Sequence, residues 1–179
     1  NAAVLYDILG SVYIQLKNAD KAIESCQKAL RLNPSHADAH NNMGIALYNQ
    51  GRFDEAVESY QKTVKLEPNF ADTHYNLGNA LKKKGNLKCA IESYRKCLSI
   101  NPNDTEVLLN LGNALKNYGD FEQAIQVYAT ALKINPIFAA VKTNMNNAIE
   151  EKDELNAIIK AYSREEKLEP GSAEILMFT

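Results

Sequence analysis

Seven asparagines recur at fixed intervals along the chain, and their side-chain amides are the groups best placed to act on a partner. Asn42, Asn76, Asn110 and Asn144 follow one another every 34 residues. Asn79, Asn113 and Asn147 repeat at the same interval, each three residues after a member of the first row. An amide offers a donor and an acceptor together, which matches the alternating N–H and C=O groups of an extended backbone. The chemistry this predicts is hydrogen-bonded capture of a peptide, with no covalent step. The alternative is that the same amides tie neighbouring helices together.

Charged and aromatic residues keep the same register. Asp38, Asp72 and Glu106 recur four residues before the first asparagine row, and Lys82, Lys83, Lys84 and Lys116 follow the second. Acidic groups at a helix start and basic groups at its end suit the helix dipole. They also fit a groove with one acidic and one basic edge that would orient a charged peptide. Tyr75, Tyr48 and Leu109 could line apolar pockets there, and Tyr48 could equally pack between units. His36, His40 and His74 show no metal-ligand spacing, so packing is expected of them. Cys26 and Cys97 are read as core, and Cys89 lies too far from Cys97 to share an ion with it. The sequence has no phosphate-binding glycine loop, dinucleotide fingerprint or nucleophile elbow. No catalytic residue, metal or cofactor is therefore expected, and the chain is not read as an enzyme.

The elements that must position these side chains are set by punctuation. The chain has 179 residues and five prolines, Pro34, Pro68, Pro102, Pro136 and Pro170, each 34 residues after the last. Glycine repeats in phase, at Gly10, Gly44, Gly78 and Gly112 and again at Gly51, Gly85 and Gly119. Between them the apolar residues follow helical spacing: Leu77, Ala80 and Leu81, then Leu87, Ala90, Ile91, Tyr94 and Leu98. Gly85 sits where a helix end wants a left-handed residue, and Pro102 follows the second segment, which it cannot extend. Each unit thus predicts helix, tight turn, helix, proline turn, and no strands. The units run 3–36, 37–70, 71–104, 105–138 and 139–172. Mid-helix glycine costs about 1 kcal/mol against alanine, so Gly44, Gly78 and Gly112 are expected to allow close approach to Ala56, Ala90 and Ala124.

These residues resemble the tetratricopeptide repeat, whose 34-residue helical hairpin carries the same Leu-Gly, Gly, Ala, Tyr and Pro pattern. The resemblance spans residues 3–172 and implies an all-α fold, a right-handed superhelical solenoid of helix-turn-helix hairpins. It also implies that the first helices line a concave groove and that the chain is a protein-binding module or scaffold. Two departures stand out. Lys17 replaces the turn glycine of the first unit. In the fifth, Asn146 and Ile158 replace the mid-helix Gly and the Ala, so its two helices are expected to pack farther apart.

The chaperone-binding members of that family hold a C-terminal carboxylate with a clamp of Lys, Arg and Asn. Here the asparagines are present, but acidic residues stand where cations are needed, which argues against that partner. The asparagine rows are also similar to the repeats of the O-linked N-acetylglucosamine transferases. That likeness implies an alternative role as the substrate-selecting arm of a larger enzyme. A third alternative is a scaffold in a large assembly.

Composition narrows the remaining classes. Apolar residues make up 45% and charged residues 23% of the chain, with a net charge of −2. That balance argues against nucleic acid as partner, and no apolar run nears the ~18 residues of a membrane span. Three cysteines cannot all pair, and no signal peptide is visible, so a reduced cytoplasmic or nuclear setting is expected. The apolar segment 173–179 reads as the start of a further helix, and a poor cap for a solenoid. It is expected to continue a longer array or to mediate self-association.

Overall fold

The computed structural model describes the backbone of residues 2–168 and the side chains of residues 2–161. Nine helices and no strand occur among them. They are α1 (Ala2–Gln15), α2 (Ala19–Leu32), α3 (Ala37–Asn49), α4 (Phe53–Leu66), α5 (Ala71–Lys83), α6 (Leu87–Ile100), α7 (Thr105–Tyr118), α8 (Phe121–Ile134) and α9 (Ala139–Leu168). None of these helices is long and apolar enough to cross a membrane. Pro170 and the segment 173–179, with the self-association expected of it, lie outside the described residues.

One local device makes all four tight turns. Lys17, Gly51, Gly85 and Gly119 hold left-handed backbone, with φ of 56°, 75°, 79° and 92°. The following residue donates its N–H back over the turn: Asn18 to Tyr13, Arg52 to Leu47, Asn86 to Leu81 and Asp120 to Leu115, at 2.9–3.0 Å. Such bonds satisfy carbonyls that a helix end leaves open. The next helix then starts on a cap. Asn18, Asn86 and Asp120 accept the amides of Lys21, Cys89 and Gln123, and Asp104 accepts those of Glu106 and Val107 at the start of α7.

Lys17 performs glycine's role at the cost of a left-handed L-residue, roughly 1 kcal/mol. Lys17→Gly is therefore expected to leave α1 and α2 in place and raise the thermal midpoint by a few degrees. A lower midpoint would show that the turn carries no such strain.

The fifth unit departs from its expectation. It was expected to fold back as a hairpin, but α9 runs unbroken for 30 residues. Its turn position holds Asp153, and Glu154 stands where the other turns hold Asn18, Arg52, Asn86 and Asp120. The run Ile149–Ile158 contains no glycine or proline to break it, so the helix continues. Ion pairs fix the near half of α9, from Lys116 to Glu151 at 2.6 Å and from Lys152 to Glu122 at 2.9 Å. Leu155 and Ile158, which a hairpin would bury, are 45% and 52% exposed.

Packing explains the mid-helix glycines, and differently from the sequence expectation. A Cβ at Gly44 would lie 2.5 Å from the Tyr60 ring, and one at Gly78 would lie 2.6 Å from the Tyr94 ring. The neighbour that needs the space is the tyrosine of the paired helix, not Ala56 or Ala90. Gly112 makes room for Tyr128 in the same way, and Gly10 for Cys26. Tyr60, Tyr94 and Tyr128 are the largest fully buried side chains among the described residues. Each second helix packs on its own first helix and on the next unit's first helix, joining one continuous core from Ala22 to Ala148.

The candidate peptide groove

First helices also meet each other, α1 with α3, α3 with α5 and α7 with α9, whereas the second helices form no comparable pairs among the described residues. That asymmetry places the odd-numbered helices along one wall of the stack. Side-chain bonds run along this wall. Asn42 donates to Asp7 at 2.8 Å. Thr73 donates to Asn41 at 3.0 Å. Lys82 donates to Asn110 at 2.8 Å, and Asn110 donates to the Tyr75 hydroxyl at 3.3 Å. Asn144 donates to Asn113 at 2.8 Å. The Thr73–Asn41 pair had no periodic signal in the sequence, because threonine and asparagine occupy those positions only here.

The two asparagine rows differ in what holds them. In the second row, the Tyr94 hydroxyl donates to Asn79 Oδ1 at 2.7 Å and the Tyr128 hydroxyl to Asn113 Oδ1 at 2.6 Å. A hydroxyl donor on the carbonyl oxygen turns each amide so that its NH2 is the end left for other partners. Asn79 Nδ2 and Asn113 Nδ2 carry no bond among the described residues. The buried tyrosine of each second helix thus orients an amide on the wall. Asn147 is exposed. In the first row, Asn76 is half-buried and bonded to nothing described, while Asn42, Asn110 and Asn144 link adjacent helices.

Lysines along the wall divide by partner. Lys84 pairs with Asp54 at 2.5 Å, and Lys116 with Glu151. Lys82 is half-buried and meets only the neutral amide of Asn110. Burial, and then the neighbouring charge of Lys83, pushes its ammonium below the usual lysine range. Lys83 is exposed. Tyr75 is half-buried, 6.2 Å from the Tyr94 ring between centroids. Tyr48 packs edge-on against Phe53 at 5.3 Å, on its own unit's second helix.

The remaining residues behave as packing groups. His40 Nε2 reaches the Pro34 carbonyl at 2.9 Å and His74 Nε2 that of Pro68 at 2.8 Å. Each imidazole ties its helix to the proline turn just before it. Burial pushes the Cys26 thiol up to about 12 and the Cys97 thiol up to about 11, so neither is a nucleophile at neutral pH.

Comparison with known proteins places this geometry. A TPR repeat family model matches residues 10–51 and 46–85, and a tetratricopeptide repeat model matches residues 71–104 and 105–138. None of the curated proteins matches in sequence. Among solved structures, the chain is similar to MamA, at 22% identity and a TM-score of 0.80 over 97% of this chain and 94% of that one. A MamA from Desulfovibrio magneticus RS-1 gives 22% and 0.80 over 96% and 97%. YrrB, a TPR protein with an unusual peptide-binding site, gives 22% and 0.78 over 96% and 88%. The fold is the all-α superhelical solenoid of these neighbours.

Proposed function

The chain belongs to the tetratricopeptide repeat family, and on that premise we propose that it is an interaction module holding a partner's peptide segment along the wall of first helices. The observation that carries this is the pair of oriented amides. Asn79 and Asn113 each present NH2 donors toward a ligand because a buried tyrosine hydroxyl occupies the other end. Successive carbonyls of an extended backbone are the natural acceptors. Fixing the amides beforehand removes part of the ordering cost of binding. Asn76, three residues before Asn79 on α5, adds a donor and an acceptor, and Tyr75 adds an apolar face.

Lys82 sets a preference within that reading. A half-buried ammonium facing only an amide has lost hydration without gaining a countercharge. A segment carrying an acidic side chain near its midpoint would supply one. Lys116 holds the same repeat position on α7 as Lys82 on α5, but there Glu151 already supplies the countercharge. The peptide-binding site of YrrB supports the general mode.

The test is a nuclear magnetic resonance titration with peptides selected from a random library against the intact chain. Binding is expected to shift the side-chain amide signals of Asn76, Asn79 and Asn113, leaving the backbone signals of Arg95 and Lys96 on α6 unmoved. Shifts confined to the second helices would overturn the assignment of the groove.

A further inference from the structure

Asp7, His36 and Asp38 converge where the first two units meet. Asp7 comes from the middle of α1, His36 from the turn before α3, and Asp38 from the first turn of α3. One ligand atom from each lies within 4.8 Å of the other two. Asp7 is 8% exposed, and its described partner is a neutral amide, Asn42 Nδ2 at 2.8 Å. None of the ion pairs among the described residues includes Asp7 or Asp38. His36 stands at the N-cap of α3 without making a capping bond, so its ring is not committed to the helix end.

This arrangement is costly as it stands. A buried carboxylate needs a countercharge or several donors, and a second carboxylate beside it adds repulsion. We propose that the three side chains form a binding site for a divalent transition-metal cation of the zinc class, which joins α1 to α3. Two carboxylates balance the dication, and the imidazole supplies the nitrogen that favours zinc or cobalt over magnesium and calcium. Ligand bonds of about 2.0–2.2 Å require the three atoms to draw closer together. His36 on its turn and the exposed Asp38 have the freedom to move, while buried Asp7 provides the fixed point. Asn42 acts as a positioning residue, since an amide on a ligating carboxylate holds its orientation. Three protein ligands leave a coordination position open to water or to a ligand's carboxylate, next to Asn42 at the end of the wall. This inference does not depend on the peptide groove.

The experiment uses the full chain freed of metal with a chelator and titrated with Co(II) as the probe. It is expected to bind saturably, give visible d–d bands without a thiolate charge-transfer band, and release the cobalt to Zn(II). His36→Ala and Asp38→Asn should each weaken binding at least about 10-fold, with the helical circular dichroism unchanged. Absence of saturable binding would overturn the site. So would a thiolate band, which would place the ion on a cysteine. Undiminished affinity in both variants would likewise overturn it, marking adsorption to other surface carboxylates.

Discussion

Tyr94→Ala is expected to lower the stability of the array by about 3–5 kcal/mol, the cost of emptying a closed aromatic site. The ring is completely buried between α5 and α6, and Gly78 opposite it contributes no side chain that could close the gap. Tyr94→Phe keeps the ring and loses the hydroxyl bond to Asn79, so about 1 kcal/mol is expected there. The pairing with glycine gives a sharper test. Gly78→Ala in the native chain gains helix propensity of about 1 kcal/mol but drives a methyl to 2.6 Å from the ring, and overpacking of that kind costs about 1–3 kcal/mol. It should destabilise. In the Tyr94→Ala background the clash is gone and the same Gly78→Ala change should stabilise. Urea unfolding of the four proteins of this cycle measures the coupling. An unchanged effect of Gly78→Ala in the two backgrounds would show that the ring is not what excludes a side chain there.

Much of the fold is legible in the sequence because its turns are made by residues with one physical role. Gly51, Gly85 and Gly119 can be placed before any coordinates, since a left-handed turn residue between two helical stretches has few alternatives. The fifth unit shows the limit. Pro170 keeps the period and suggests a fifth hairpin, yet Asp153, where three of the other turns hold glycine, stays in helical backbone and α9 runs on. Spacing also locates the pairs Gly78–Ala90 and Gly78–Tyr94 equally well, and only the packed structure shows that the ring is the neighbour requiring the space.

The candidate site was legible as positions and not as bonds. Periodicity places Asn79 and Asn113 on the first helices. That their oxygens are taken by tyrosine hydroxyls depends on how deeply Tyr94 and Tyr128 sit, which is a property of the packed hairpin. Lys84 and Lys116 look alike in sequence to Lys82, and differ because Asp54 and Glu151 reach the first two. Asp7 and His36 are brought together by the superhelix, with no motif to announce it.

The oriented amides make the second large prediction. Asn79→Asp with Asn113→Asp keeps an oxygen for each tyrosine hydroxyl, and for the Asn144 amide on the second residue, but removes both NH2 groups. Folding stability is expected to change by less than about 1 kcal/mol, as for substitutions that leave packing intact. Two hydrogen bonds to peptide carbonyls are lost, each worth about 0.5–1.5 kcal/mol, and a carboxylate now faces a carbonyl oxygen. Affinity should fall about 10- to 100-fold or more. The most direct measurement is isothermal titration of one library-selected peptide against the native chain, the Asn79→Asp/Asn113→Asp variant and Arg95→Ala, which alters exposed α6. The predicted result is tight binding by the native chain and by Arg95→Ala and a loss of at least about 10-fold in the double variant. Equal affinity for the native chain and the double variant, or a loss confined to Arg95→Ala, would contradict peptide capture on the wall of first helices.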